Sequence, residues 1–144
     1  MITLLSVGKP KFYARQIEEY LKRINRYRPI IDIAVKEAKD QNVEIIKKKE
    51  GECLQQKAGT GIVIALHETG KQYDTIAFSK LLQKHNAITF IIGGAFGLSS
   101  DVLQKAQIQL SLSPMTLQHE LAQLVLLEQI YRGCSILRGE KYHK

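Results

Sequence analysis

Residues able to do chemistry concentrate in the last third of the chain, in two loops and a tail. The first loop, Gly93-Gly94-Ala95-Phe96-Gly97, follows the apolar run Phe90-Ile91-Ile92. The second, Ser113-Pro114-Met115-Thr116, follows Leu110-Ser111-Leu112. Loops of small residues let a ligand approach the main chain closely. The glycines do not make a dinucleotide fingerprint, and no Gly-Lys-Ser/Thr follows them, so the first loop is no P-loop either. In the second loop Pro114 restricts φ and Thr116 can bond locally, which can turn amides and carbonyls toward a ligand. Taken singly, each loop is equally well an ordinary turn.

The tail is Lys141-Tyr142-His143-Lys144. His143 stands one residue from the terminus, an exposed position where a histidine adds nothing to a core, so a site role is open to it. His85 reads as a residue on a solvated helix end. His119 falls in the first turn of the last helix, where packing or local hydrogen bonding is the simpler role. Glu128 and Arg132 are spaced i, i+4 and can pair on one helix face. Arg132, Arg138, Lys141 and Lys144 gather positive charge suited to phosphate. No Ser/His/Asp order and no carboxylate pair stands out. Cys53 and Cys134 lie far apart in helix-like stretches and read as buried free thiols. No Cys/His cluster has zinc spacing, so no metal is expected.

The elements that must position these groups alternate. Met1 to Val7, Ile30 to Val35, Gly61 to Leu66, Ala87 to Ile92 and Ile108 to Leu112 read as strands. The third is nearly continuous and β-branched, as in a strand buried on both faces. Tyr13 to Tyr27 reads as an amphipathic helix with Ile17, Tyr20, Leu21 and Ile24 on its inner stripe. Asn42 to Lys57 reads as a second, with Val43, Ile46, Cys53 and Leu54 inward and Lys47-Lys48-Lys49 outward. Thr75 to His85 and Ser99 to Gln107 are further helices, the latter capped by serine. The last helix spans about Leu117 to Gly133, with Gly133 as its stop. Its segment Leu121 to Leu127 is apolar almost all round, so one face packs on the sheet and the other asks for a partner. This alternation predicts an α/β layer structure with a mostly parallel sheet.

With 144 residues the chain suits one domain, residues 1–144. A formal charge of +7 favours a polyanionic partner, nucleic acid first. No apolar run is long enough to span a bilayer and no basic leader opens the chain, so a cytoplasmic protein without membrane contact is expected.

Together, Ile92-Gly93-Gly94-Ala95-Phe96-Gly97-Leu98, Leu110 to Leu117, Leu127-Glu128-Gln129-Ile130-Tyr131-Arg132 and Gly139-Glu140-Lys141-Tyr142-His143 resemble one family. It is the RlmH family of ribosomal large-subunit pseudouridine methyltransferases, within the SPOUT class of S-adenosylmethionine enzymes. The likeness covers the whole chain, and its C-terminal motifs are specific in combination.

The resemblance implies a SPOUT-type, mostly parallel sheet flanked by helices, with a C-terminal trefoil knot that periodicity alone would never propose. It implies that Leu66, Gly93, Leu112, Ser113, Pro114, Met115, Thr116 and Leu117 hold S-adenosylmethionine, largely through main chain. It implies a homodimer in which the partner completes each site. The implied reaction is methyl transfer to N3 of a pseudouridine in helix 69 of 23S rRNA, in the large subunit or the whole ribosome. Tyr142 and His143 would position the base, with His143 the proton acceptor. Arg132 would act beside them and, with Arg138, hold phosphates. Lys141 and Lys144 would add RNA contacts. Two residues depart from the family pattern. Gln118 replaces a proline, which loosens the approach to the last helix. Gln123 replaces an arginine, which removes an RNA or interface contact. A non-catalytic RNA-binding module with a degenerate cofactor site is the alternative.

Overall fold

The computed structural model describes residues 1–144. The chain forms β1 (Ile2–Val7), α1 (Ala14–Asn25), β2 (Ile30–Val35), α2 (Val43–Lys57), β3 (Ile62–Gln72), α3 (Thr75–Lys84), β4 (Ile88–Ile91), α4 (Ser100–Lys105), β5 (Ile108–Ser111) and α5 (His119–Leu137). The five strands make one sheet in the order β2-β1-β4-β3-β5. Every pairing is parallel. The expected α/β layer architecture is therefore present.

Alternation along the strands assigns the two faces. Ile2 and Leu4 of β1, Ile64 of β3 and Ile88 and Phe90 of β4 point to one face. There they pack with Ile17 and Ile24 of α1, Phe78, Leu81 and Leu82 of α3, and Leu126, Leu127 and Ile130 of α5. Leu5, Val7, Ala65 and Ile91 point to the other, against Leu54 of α2 and Val102 of α4. Removing a large core side chain from either cluster costs about 2–5 kcal/mol. Helix starts follow their caps: Asn42, Asp74 and Ser99 each accept a first-turn amide through the side chain.

Several expectations need correction. β3 does not end at Leu66. It continues to Gln72, and both Leu66 and Lys71 pair with Leu110, so residues 67–70 loop out of the ladder. α5 does not stop at Gly133. A Cβ on Gly133 would stand 2.7 Å from Leu82 Cδ1 and 3.5 Å from Ser79 Cα. The glycine is there because α5 crosses α3 closely at that point. The helix ends four residues later, where Gly139 adopts φ 72°. Its amide donates to Ile136 O and that of Glu140 to Ser135 O, a left-handed glycine cap. On α2, Val43 and Cys53 are exposed rather than inward, while Ile46 and Leu54 are buried as expected.

The two departures from the family pattern act inside the fold. Gln118 caps α5, its Oε1 accepting from Leu121 N at 2.9 Å, so the helix start is held without proline. Gln123 is 3% exposed and its Nε2 lies 3.3 and 3.2 Å from the two carboxylate oxygens of Asp32. Within the chain it is a core contact to β2, not an RNA contact.

Candidate active site

The carboxyl ends of β3, β4 and β5 open on a cavity of about 700 Å³. Ligands in open α/β sheets bind at such strand ends. Three segments wall it: the 67–70 excursion of β3, the glycine loop after β4, and the Leu112–Gln118 loop after β5. Of the residues assigned to cofactor, Leu66, Gly93, Leu112, Ser113, Met115, Thr116 and Leu117 line it; Pro114 does not.

The glycine loop is packed against itself. A Cβ on Gly93 would lie 2.6 Å from the carbonyl carbon of Gly97 and 2.8 Å from Leu98 N. Gly97 N donates to Gly94 O at 3.0 Å and closes the turn. The amides of Gly93, Ala95 and Phe96 donate to no protein acceptor, while Gly94 is held to Gly97 in an isolated antiparallel bridge. They are a row of main-chain donors at the cavity wall. In the second loop, Ser111 Oγ lies 2.9 Å from the carbonyls of both Glu68 and Ser113, tying that loop to the β3 excursion. Ser113 Oγ accepts from Met115 N at 3.0 Å.

Polar side chains that the sequence reading left aside complete the wall: Lys47, His67, Glu68, Gln118 and His119. Lys47 belongs to a run read as solvent-facing, yet it is half-buried. Its spacing of three from Glu50 and seven from Leu54 places it on the inner stripe of α2, a signal the sequence carried. His67 and Glu68 directly follow the apolar run of β3, the position where strand-end ligand residues fall. His67 Nδ1 lies 2.8 Å from Thr69 Oγ1.

The tail residues form a second cluster. Glu128 Oε1 accepts from Arg132 Nε at 2.9 Å and Nη2 at 2.6 Å, and from Tyr142 OH at 3.1 Å. The Arg132 guanidinium stacks 4.7 Å from the Tyr142 ring centre. Tyr131 meets Tyr142 edge-on at 4.6 Å. Bonding to Glu128 raises the Arg132 pKa. The Tyr20 hydroxyl, partial burial and Glu128 push the Tyr142 phenol well above its ordinary value, so it stays protonated and acts as a donor. His143 is half-buried rather than exposed, with Nδ1 3.2 Å from Arg132 Nη1. A guanidinium can only donate, so Nδ1 accepts and neutral His143 carries its proton on Nε2. Arg138, Lys141 and Lys144 are exposed.

Arg132, Tyr142 and His143 do not line the cavity. His119, at the cavity, and Arg132 are thirteen positions apart on α5. That separates the cavity from the tail by roughly 20 Å along the helix. One chain thus presents a main-chain pocket and a side-chain cluster at opposite ends of one helix. No group of three or more His, Cys, Asp or Glu is placed to hold a metal ion, and no helix is long and apolar enough to cross a membrane.

Comparison with known proteins matches residues 1–143 to a family described as predicted SPOUT methyltransferase. The ribosomal RNA large subunit methyltransferase H of Alkaliphilus oremlandii is 43% identical over 99% of both chains. The protein of the same name from Lysinibacillus sphaericus is 42% identical, also over 99% of both. Among solved structures, a probable methylase family protein from Haemophilus influenzae superimposes with TM-score 0.58 at 11% identity, covering 99% of this chain and 70% of that one. A putative Legionella pneumophila methyltransferase, solved with bound SAM, gives TM-score 0.52 at 17% identity over 91% of this chain and 65% of that one. These two share the fold. On its full-length sequence match and its α/β architecture, the chain belongs to the SPOUT methyltransferases, in the RlmH family.

Proposed function

We infer that the chain is an S-adenosylmethionine-dependent methyltransferase acting on N3 of a pseudouridine in helix 69 of 23S rRNA. The observation that carries this reading is the cavity at the ends of β3, β4 and β5, walled by unpaired main-chain amides. Its volume of about 700 Å³ lies in the range of small-molecule sites. Its lining is half hydrophobic, and the lack of a Cβ at Gly93 lets the loop close on itself and present its amides at the wall. These features fit the cofactor. Leu66, Gly93 and Leu112 to Leu117 would hold it, Pro114 by shaping the loop from outside the lining. When bound, S-adenosylmethionine supplies a methyl group on a sulfonium that is already a good leaving group.

The protein's own task is alignment and proton handling. Tyr142 donates from its hydroxyl. His143 presents Nε2–H while Arg132 occupies Nδ1, a donor suited to a base carbonyl. It accepts the N3 proton at Nδ1 only when Arg132 turns away. Arg132 and Arg138, with Lys141 and Lys144, hold RNA phosphates. The roughly 20 Å between cavity and tail is bridged in a homodimer, each tail serving the partner's cavity, and the half-exposed Leu124 and Val125 of α5 belong to that interface. The loops around the cavity form a trefoil knot, and residues 1–144 are one domain. The substrate is an assembled ribosomal surface in the cytoplasm, on the large subunit or the whole ribosome.

The test is to incubate purified ribosomes with the protein and labelled cofactor and to read the helix 69 fragment by mass spectrometry. One added methyl on the pseudouridine is expected. A methyl at another nucleotide overturns the substrate, and none anywhere overturns the activity.

A further inference from the structure

Glu50, on α2, is 5% exposed and lies behind the glycine loop. Its Oε2 accepts from Ala38 N at 3.0 Å, while its buried Oε1 has no hydrogen-bond partner. A Cβ built on Gly94 would stand 3.3 Å from that oxygen, beside Val7. Gly94 lines the cavity and is bridged to Gly97, and the amide of Ala95 beside it donates to no protein acceptor. An orphaned carboxylate oxygen therefore lies against the glycine that precedes an unpaired amide of the cavity wall. A buried acceptor without a donor is unfavourable, and such a group calls for a state in which it is met.

We propose that Glu50 is a positioning residue for the glycine loop, its free oxygen receiving a loop amide when the cavity fills. This rests on the reading of the cavity as the cofactor site. The contact would hold Gly94 and Ala95 in the ligand-bearing conformation from behind, leaving the front of the loop to the cofactor. Glycine at 94 suits this, because nothing then stands between the carboxyl and the turn.

The groups facing Glu50 set its protonation. Burial and Glu37, on the loop after β2, raise its pKa; the Ala38 amide and His119 of α5 lower it. Lys47 lies one turn earlier on its own helix, and the glycine loop contributes no titratable side chain. An amide donated to the carboxylate favours the ionised form. Filling the cavity therefore releases a proton, and affinity rises with pH through the elevated Glu50 titration.

Calorimetry with S-adenosylmethionine and S-adenosylhomocysteine, in two buffers of unlike ionisation enthalpy across the acid-to-neutral range, reads the proton. Hydrogen exchange at Gly94 and Ala95 reads the contact. Glu50→Gln keeps the shape and an acceptor for Ala38; His119→Asn subtracts any proton that His119 contributes. Wild type should release a proton and gain protection at the loop amides. Glu50→Gln should melt within a few degrees of wild type, bind about tenfold more weakly at neutral pH, lose the pH slope and gain no protection. A Glu50→Gln protein with wild-type proton release and protection overturns the proposal and leaves the cofactor reading standing. A wild-type protein that binds neither ligand overturns both.

Discussion

The cavity and the tail solve the problem of building a site in opposite ways. At the cavity, the groups along the wall are mostly main chain: the free amides of Gly93, Ala95 and Phe96 and the loop from Leu112 to Leu117. At the tail they are side chains, with Glu128 gathering Arg132 and Tyr142, and Arg132 reaching His143. A main-chain site is indifferent to most side chains but intolerant of any atom that moves the backbone. A side-chain cluster is the reverse. The backbone there is an ordinary helix and its cap, and each functional group can be removed alone.

The largest effect should come from breaking the cavity at its backbone. Gly93→Ala puts a carbon within 2.6 Å of the Gly97 carbonyl carbon. Cofactor affinity should fall about 100-fold, equivalent to about 3 kcal/mol, by calorimetry. Met115→Ala, at a side chain 76% exposed in the same cavity, should change it by about threefold or less, because little packing is lost. Equal losses from both would erase the contrast.

The tail should answer in the opposite sense. His143→Ala and Tyr142→Phe should each lower the single-turnover methylation rate by about 100-fold. Cofactor affinity should stay within about twofold of wild type, since neither residue lines the cavity. If affinity fell in step with rate, the two regions would not be separable.

The smallest effect is at Asp32, which neither lines the cavity nor belongs to the tail cluster, and it sharpens the comparison by showing what stability alone does. Burial raises the Asp32 pKa, and the Gln123 amide only partly opposes this. With the folded value above the unfolded one, its favourable contribution is present below the ordinary carboxylate pKa and is lost as pH rises through the raised value. Asp32→Asn should therefore be more stable than wild type at pH 7 by up to about 1 kcal/mol, an advantage that shrinks in acid. Urea midpoints at pH 7 and pH 4 read it. A gain that is the same at both pH values would refute the assignment.

Much of this architecture was legible from periodicity. Every helix and strand appears, because long apolar stripes and caps such as Asn42 and Ser99 are local signals. Gly133 was misread as a stop because glycine ends helices more often than it admits a neighbouring one, and Leu82 is 51 positions away in sequence. The same limit hid His67 and Glu68, whose loop exists because β3 pairs twice with Leu110. The two loops were legible as loops, and the structure brings both to one cavity. That His119 joins them follows from tertiary packing, whereas the inward placement of Lys47 was open to its spacing on α2. The tail's residues were read as a group, and Arg132, Tyr142 and His143 do gather beside Glu128, but the tautomer depends on the partner of one nitrogen.

The close crossing at Gly133 has a consequence for how the molecule tolerates insertion. With α5 seated on α3 there, its two ends share one rotational phase. An extra residue between His119 and Arg132 would turn the tail by about 100° and advance it by about 1.5 Å relative to the cavity. α5 thus behaves as a camshaft whose length in residues sets the angle between two stations, and a change of one residue would mistime them while leaving each intact.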